Sequence, residues 1–367
     1  MGRITRRGEP RQKKATAPER IINRRANPKS SVEFIHSGST TLNLALSGKG
    51  ADGGWARGRI NNIVGDGSSG KTILALEAAF WLYQNIRKKE NSIFPKVKSL
   101  SVVYDNPEGV MDFPIDKMYG AGFNKFVDWK TSNTIEIMGR RYMRRLDDLG
   151  KGDCLLYIVD SWDALRSNAD MKRFKTSVRE DKEIEGSYNL EKQKYASSFF
   201  STICGELEGN KKDSTLLIVS QTRSKIGVTF GKKKYRAGGS SLNFYTHLVA
   251  WIREIEKLKK TINKEKKVYG IRSEVKVERS KVAKPFRISA FNILYDYGLD
   301  DIDSIINFVW GSKTIKFKDM TFNTRKKFIK YIEEGNFERE LIQKAENKWR
   351  RIEKRFEKEV SERKPRF

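Results

Sequence analysis

The chain has 367 residues, of which 38% are hydrophobic and 33% charged, and its formal net charge is +28 at pH 7. This length predicts one substantial α/β domain with smaller additions, and so large a positive charge indicates a polyanionic partner, either nucleic acid or an anionic membrane surface. We favour nucleic acid because the aromatic residues can stack on bases. No apolar run approaches the roughly 20 residues that cross a bilayer, and the basic N-terminus lacks the apolar segment of a secretory signal.

Residues 1–34 form a basic segment at the start of the chain. Within residues 1–30, ten Lys or Arg stand against two Glu, and three prolines interrupt any regular pattern. This composition predicts a mobile arm rather than a packed element. Two interpretations stay open: the arm contacts DNA, or it is a solvated tail with no partner.

Residues 35–298 alternate short apolar runs with helical patterns, including an apolar helix at 73–82. Four runs have the length and composition of strands that are covered on both faces, at 60–64, 101–105, 154–160 and 215–220. Three later segments are predicted to extend the sheet as antiparallel strands, near 247–253, 272–277 and 286–294. The expected fold class is therefore α/β, with a mainly parallel central sheet.

Residues 299–367 are predicted to form a small, helix-rich and basic C-terminal region. Six apolar side chains recur there at helical spacing and are expected to pack within it: Leu341, Ala345, Trp349, Ile352, Phe356 and Val360. The end of the region, residues 344–367, holds ten Lys or Arg against five Glu. This segment either contacts duplex DNA or forms a helical cap with a charged outer face.

The strongest local motif is the segment GDGSSGKT at residues 65–72, which fits G-x-x-x-x-G-K-[ST] between a predicted strand and a predicted helix. Backbone N–H groups of such a loop converge on phosphate oxygens at the positive end of a helix. Lys71 is expected to reach the β- and γ-phosphates of ATP, and the Thr72 hydroxyl to bind Mg²⁺. The predicted nucleotide contacts of the loop are Gly65, Gly67, Ser68, Ser69, Gly70, Lys71 and Thr72.

A phosphate loop needs a second oxygen ligand for Mg²⁺ at the end of a neighbouring strand. Asp160 ends the most apolar run of the chain and is the predicted ligand. Hydrolysis also needs a group that orients the attacking water. Asp105 and Glu108 both lie at the end of another predicted strand, and their positions alone leave both open.

A flexible basic loop spans residues 223–239, with six Lys or Arg, no acidic residue and four glycines. Cations of such a loop can follow a phosphate backbone while apolar side chains wedge between bases. The alternative is a solvated basic loop without a ligand. The predicted DNA contacts are Arg223, Lys225, Ile226, Gly227, Phe230, Lys232, Lys233, Lys234, Arg236, Gly238 and Gly239.

Several of these segments, in this order, resemble the core of the RecA recombinase family. The resemblance covers about residues 35–298, and its most specific part is 220–231 followed by 238–245, which is similar to the family's second DNA-binding loop and the helix after it. Further similar segments lie at 37–46, 58–60, 65–72, 159–165, 281–286 and 293–295. The altered termini suggest a divergent, phage-type member, with residues 10–36 in the place of the family's polymerisation segment.

The resemblance implies roles at the nucleotide. Glu108 matches the glutamate that positions the attacking water, although two residues separate it from Asp105 where the family usually has one. Asp112 matches an acidic contact to the adenine. Ile115 replaces a tyrosine that stacks on the adenine in the family, and Tyr295 matches a second contact to the base.

The resemblance also implies how ATP and DNA communicate. Gln221 would sense the γ-phosphate and pass its state to the DNA loop. Arg279 and Lys281 match two lysines that reach the ATP of the neighbouring subunit, and a guanidinium at position 279 can bind phosphate oxygens in a bidentate manner.

Together these features predict a DNA-dependent ATPase that uses ATP and Mg²⁺, forms filaments on single-stranded DNA and pairs that strand with a homologous duplex. We expect it in the cytoplasm of a bacterial or phage-infected cell, at the nucleoid. Three alternatives stay open: a hexameric helicase with the same core fold, a recombination mediator that hydrolyses little ATP, and a basic packaging protein for which ATP is incidental. The last leaves Lys71, Asp160 and Gln221 unexplained.

Overall fold

The computed structural model describes residues 32–87, 94–109, 111, 113–181, 190–208, 211–224, 234–236 and 239–360. The strands are β1 (Phe34–Ile35), β2 (Trp55–Ala56), β3 (Ile60–Gly65), β4 (Ser99–Asp105), β5 (Asp128–Lys130), β6 (Asp153–Val159), β7 (Ser214–Ser224), β8 (Lys234–Arg236), β9 (Leu248–Ile262), β10 (Glu265–Ser280), β11 (Ile288–Leu294), β12 (Gly298–Asp300), β13 (Ile315–Phe317) and β14 (Met320–Phe322). The helices are α1 (Thr40–Ser47), α2 (Lys71–Arg87), α3 (Ile115–Tyr119), α4 (Ala121–Phe126), α5 (Ile135–Asp147), α6 (Asn168–Glu180), α7 (Leu190–Leu207), α8 (Gly239–Tyr245), α9 (Asp301–Val309), α10 (Arg325–Gly335) and α11 (Glu338–Val360).

The central sheet has the strand order β12-β11-β10-β9-β3-β7-β6-β4-β5, and β8 pairs with β7 outside this path. Neighbours from β9 to β5 are parallel, whereas β10, β11 and β12 join in antiparallel pairs. The predicted mainly parallel sheet is confirmed. The predicted direction of one strand is wrong: the segment near 247–253 was expected to be antiparallel, but it lies in β9, which runs parallel to β3. Helix α8 carries the chain back across the sheet before β9 begins, and parallel pairing needs such a crossover.

Apolar clusters cover both faces of the sheet. In β7, Leu217 and Val219 join one cluster with residues of α1 and α2, while Leu216 and Ile218 join the other with residues of α5 and α7. Because successive side chains of a strand point to opposite faces, every residue of this run reaches an apolar core. This explains why residues 216–219 of the strand are all apolar rather than alternating with polar residues.

The C-terminal region packs around a third apolar cluster formed by α9, β13, β14, α10 and α11. Leu44 of α1 is part of this cluster, which ties the region to the core. Half of the predicted stripe on α11 packs there, since Leu341, Ala345 and Trp349 are buried. The prediction is wrong for the other half: Ile352, Phe356 and Val360 are exposed, because this part of α11 contacts the core through ion pairs of Glu353 and Glu357 with Lys284 and Arg287 instead.

Candidate functional site

The phosphate loop leaves the central strand β3 at Gly65 and enters α2 at Lys71. Close contacts require glycine at two positions. A Cβ atom at Gly65 would lie 2.6 Å from the carbonyl oxygen of Ile252. Gly70 has a φ of +93°, and a Cβ atom there would lie 2.1 Å from Cδ1 of Ile293. The motif glycines therefore let the loop turn sharply against Ile252 of β9 and Ile293 of β11.

The lysine of the motif, Lys71, is buried under the phosphate loop. Lys71 is 9% exposed, and its Nζ donates a hydrogen bond to the carbonyl oxygen of Asp66. Burial lowers the pKa of Lys71, and the charges of Asp160, Asp66 and Glu108 act in the opposite direction. An anionic ligand in the loop would add to these charges and favour the ammonium form.

The predicted metal ligands, Thr72 and Asp160, lie side by side. Thr72 Oγ1 donates to Asp160 Oδ2 at 2.7 Å, and the Tyr104 hydroxyl donates to the same oxygen at 2.6 Å. Burial raises the pKa of Asp160, whereas both hydrogen bonds lower it. A hydroxyl and a carboxylate are hard oxygen ligands, and a site with few protein ligands suits Mg²⁺, which keeps several waters and takes further oxygens from phosphates.

Asp105, one of the two acids that the sequence left open, is fixed within the protein. It is completely buried, and its Oδ2 accepts hydrogen bonds from Ser132 at 2.7 Å, Tyr157 at 2.7 Å and Arg141 at 3.0 Å. The Arg141 contact is also an ion pair. This carboxylate has no free approach for a water molecule and serves to hold β4, β6 and α5 together.

Glu108, the other acid, is exposed and faces the predicted sensor. Its Oε1 accepts from Ser161 Oγ at 2.7 Å and from Gln221 Nε2 at 3.1 Å. Gln221 is in register with Gly65 across the β3–β7 pair, so the last residue of the phosphate-loop strand and the sensor are at the same level. The backbone N–H of Gln221 donates to Asp163 Oδ2 at 2.5 Å. Glu108, Ser161 and Gln221 thus form one contact group at the carboxyl ends of β4, β6 and β7.

A cleft of about 490 Å³ lies beside the phosphate loop and is a candidate site for the base. Its lining residues are Ser68, Gly70, Lys71, Thr72, Ile73, Phe113, Pro114, Met118, Ile271, Ile293, Leu294, Tyr295 and Asp296. Tyr295, predicted to contact the base, lines this cleft, whereas Ile115 is buried in the core. Asp112 lies outside the described residues. Sequence reasoning missed Phe113, which is 41% exposed and offers an aromatic face in the cleft.

The predicted DNA loop is described at both of its ends. Strands β7 and β8 pair there, with Arg223 opposite Tyr235 and Ser224 opposite Lys234, and Gly239 begins α8. We call this pair the hairpin stem. The predicted contacts that lie outside the described residues are Lys225, Ile226, Gly227, Phe230, Lys232, Lys233 and Gly238.

Two basic residues of the hairpin stem have different surroundings. Arg236 is 8% exposed, its guanidinium donates to the side-chain oxygens of Asn62 and Asn243, and burial lowers its pKa to about 10. This arginine therefore faces the protein interior rather than solvent. Lys234 is half-exposed and forms an ion pair with Asp66 of the phosphate loop.

Asp66 joins the phosphate loop directly to the hairpin stem. Its carboxylate accepts hydrogen bonds from Lys234 and from the hydroxyl of Thr222. Partial burial raises the pKa of Asp66, but these hydrogen bonds outweigh it, and the pKa lies below its usual value. The motif G-x-x-x-x-G-K-[ST] does not predict this contact between the phosphate loop and the hairpin stem, because position 66 is one of its variable positions.

Arg279 and Lys281 lie away from the phosphate loop of their own chain. Arg279 pairs with Val249, which pairs with Asn62, three residues before Gly65 along β3. The backbone N–H of Lys281 donates to the carbonyl oxygen of His247 at 2.8 Å, just before β9 begins. Both residues are thus near the amino edge of the parallel strands, whereas the phosphate loop is at the carboxyl edge.

A phosphate loop between a central parallel strand and a helix, with a buried carboxylate at the end of a second strand, defines the class of phosphate-loop nucleotide-binding proteins. Within this class, the family model of the RecA N-terminal domain matches residues 12–110 and 157–300, more than half of the chain. The chain belongs to the RecA family. This confirms the predicted family and, with it, a role in DNA recombination and repair.

Individual relatives agree with this assignment. The chain is 29% identical to protein RecA of Rippkaea orientalis over 331 residues, which cover 86% of this chain and 84% of the relative. It is 30% identical to protein RecA of Arthrospira platensis over 290 residues, covering 78% and 68%, and 30% identical to that of Synechocystis sp. over 315 residues, covering 83% and 78%. RecA family proteins are in general DNA-dependent ATPases that use ATP with Mg²⁺. Among the helices of the described residues, none is long and apolar enough to cross a membrane.

Proposed function

We propose that this chain binds ATP with Mg²⁺ at residues 65–72, hydrolyses it, and assembles on single-stranded DNA as a filament that captures a homologous duplex. The observation that carries the proposal is the contact between Glu108 and Gln221 at 3.1 Å. It brings the candidate water-positioning residue together with the last residue before the hairpin stem, level with the phosphate loop. Nucleotide chemistry and DNA contact therefore share one structural element.

The phosphate loop supplies the binding half of this function. The backbone N–H groups of Gly67 to Gly70 and the N-terminus of α2 present donors to phosphate oxygens, and Lys71 adds a positive charge beneath them. Thr72 and Asp160 would hold Mg²⁺, which neutralises phosphate charge when it is bound. Phe113 and Tyr295 line the cleft for the base, where Asp112 is also proposed to contact the adenine.

Glu108 would position and deprotonate the attacking water. It is exposed, it lies on the loop after β4, and the ammonium of Lys71 interacts with its charge. Asp105 is completely buried, with three donors on its Oδ2, so the attacking water has no access to it. A carboxylate that accepts a proton in this way contributes about 10²–10⁴-fold to a rate.

Gln221 would couple the nucleotide to DNA. A γ-phosphate in the loop offers the Gln221 amide a stronger acceptor than Glu108, since hydrogen bonds to charged phosphate oxygens are short and strong. Movement of this side chain would be passed directly to Thr222 and Arg223 of the hairpin stem. ATP would then favour the conformation that holds DNA, because a ligand shifts an equilibrium only by its difference in affinity for the two states.

Arg279 and Lys281 would complete the site of a neighbouring subunit in the filament. Their register near the amino edge keeps them from the phosphates of their own chain. A cation from the next subunit would add charge stabilisation to the phosphoryl transition state. The exposed Glu108 and its contact with Gln221 favour this catalytic filament over a mediator that hydrolyses little ATP.

The test is ATPase activity measured with and without single-stranded DNA, with electron microscopy of the same samples. The wild-type chain is expected to hydrolyse ATP faster with DNA and to form filaments, and Lys71→Ala to lose both properties. Lys326→Ala, an exposed position on α10, is the matched control. Rings in place of filaments would support a helicase instead, and DNA affinity that is the same with and without nucleotide would refute the coupling.

A further inference from the structure

The longest hairpin of the described residues carries a dense group of lysines that the nucleotide site does not use. Residues 257–267, at the outer ends of β9 and β10, contain six lysines and one glutamate. All residues from 259 to 269 are exposed. We call residues 257–269 the basic ribbon.

The basic ribbon projects from the same edge of the sheet as the hairpin stem. Ile252 of β9 is level with Gly65, and Gly65 is level with Gln221 of β7. From Ile252, β9 continues for ten residues to Ile262, roughly 33 Å at about 3.3 Å per residue. Since β9 and β7 both flank β3, the ribbon and the hairpin stem leave this edge about 10 Å apart. A nucleic acid held by the stem would lie within reach of the ribbon.

The charges of the basic ribbon are not balanced by the described part of the chain. Lys260 is paired directly opposite Lys267, an arrangement that destabilises a two-stranded ribbon in the absence of an anion. The acidic residue of the ribbon, Glu265, lies 3.5 Å from Lys267, and both side chains are more than 70% exposed. Such an exposed pair contributes little. Lys259 and Lys266 make no ion pair with the described residues.

We propose that the basic ribbon binds duplex DNA, and that it is the element that presents the duplex to the single strand held at the hairpin stem. This inference rests on the proposed function. A two-stranded ribbon fits the major groove of B-form DNA, which is about 12 Å wide. Lysines on both faces of the ribbon would reach phosphates on the two walls of the groove. Six lysines against one glutamate in residues 257–267 make the ribbon complementary to the phosphates of a duplex.

The experiment is a salt titration of duplex binding by the full chain without nucleotide, followed by fluorescence anisotropy of a labelled duplex. The variant is K259A/K260A/K266A/K267A, and the matched control replaces the same four lysines with arginine. If each lysine neutralises one phosphate, the alanine variant lowers the slope of log K against log salt by up to about 3.6, at about 0.9 per contact. We expect duplex affinity to fall at least about tenfold, and the arginine variant to keep the wild-type slope.

The same two variants separate this inference from the proposed function. ATPase activity stimulated by single-stranded DNA should stay at the wild-type level in both, because the ribbon is outside the nucleotide site and the hairpin stem. An alanine variant with wild-type duplex affinity and salt slope overturns the inference. So does normal duplex binding with shortened filaments, which would assign the ribbon to contact between subunits. A failure of the proposed function would appear separately, as a wild-type chain whose ATPase does not respond to single-stranded DNA.

Discussion

The two acids at the end of β4 allow a sharp test of the catalytic assignment. Glu108→Gln removes the proton acceptor but keeps an oxygen that can accept from Ser161. We expect ATP binding and the free energy of unfolding to change little. The DNA-stimulated kcat should fall about 10²–10⁴-fold, or about 3 to 5 kcal/mol in activation free energy, because the attacking water loses its base.

Asp105→Asn should have the opposite profile. It removes the charge that pairs with Arg141 inside the protein and replaces an acceptor of three hydrogen bonds with an amide. Breaking a fully buried pair costs about 3–5 kcal/mol. Because Arg141 is 26% exposed, solvent screening reduces this cost, and we expect a loss of about 2 kcal/mol in the free energy of unfolding.

The assay pairs kcat for ATP hydrolysis with the free energy of unfolding from urea titration for each variant. The assignment predicts that Glu108→Gln loses catalysis while it keeps stability, and that Asp105→Asn loses stability while its folded fraction keeps a kcat within about threefold of wild type. If the folded Asp105→Asn protein were inactive and Glu108→Gln retained its kcat, the water-positioning role would belong to Asp105, and the argument from burial would be refuted.

Three further predictions concern the surroundings of the site. Tyr104→Phe removes a hydrogen bond that favours the ionised form of Asp160 and is worth about 1 kcal/mol. The Mg²⁺ concentration for half-maximal ATPase activity should therefore rise about fivefold. An unchanged Mg²⁺ titration would contradict this prediction. Asp66→Asn should free Lys234 and raise the affinity for single-stranded DNA in the absence of nucleotide. The increase should be no more than about fivefold, because the ion pair is half-exposed. A lower affinity of the variant in fluorescence anisotropy would contradict this prediction. Burial raises the pKa of Glu77 to about 7, so the contribution of Glu77 to the free energy of unfolding should be complete below its unfolded pKa near 4.5 and be lost as the pH rises through 7. Glu77→Gln should remove this loss, which amounts to up to about 3 kcal/mol in the free energy of unfolding. Urea unfolding at several pH values measures the loss, and a variant whose stability declines with pH as steeply as that of the wild type would contradict the prediction.

The contacts of Asp66 would add a second route between nucleotide and DNA. Gln221 is proposed to sense the phosphate end of the site from β7, while Asp66 accepts hydrogen bonds from Thr222 and Lys234 and belongs to the phosphate loop itself. Lys71 donates to the carbonyl oxygen of the same Asp66. Movement of Lys71 toward phosphate would therefore release a contact on the residue that anchors the hairpin stem, so the two routes act on one element.

Local sequence was enough to predict the nucleotide-binding half of the site. Residues 65–72 bring their donors together within one turn, because the strand, the glycines and the start of the helix are consecutive in the chain. The apolar runs predicted the parallel strands for a similar reason, since burial on both faces leaves no polar positions. Asp160 followed from its place at the end of such a run.

The positions of Asp105 and Glu108 in the sequence left both open, and the RecA resemblance implied Glu108. The tertiary structure favours Glu108 as well, because the donors to the buried Asp105 come from Ser132, Arg141 and Tyr157, far along the chain. Only the tertiary structure decided the surroundings of Arg236, whose partners Asn62 and Asn243 turn a predicted DNA contact toward the interior, and the direction of β9. The spacing of residues along the sequence predicts which of them share a turn or one face of a strand. Sheet order and long-range packing set which of them meet, and those depend on pairings between segments that the local pattern does not encode.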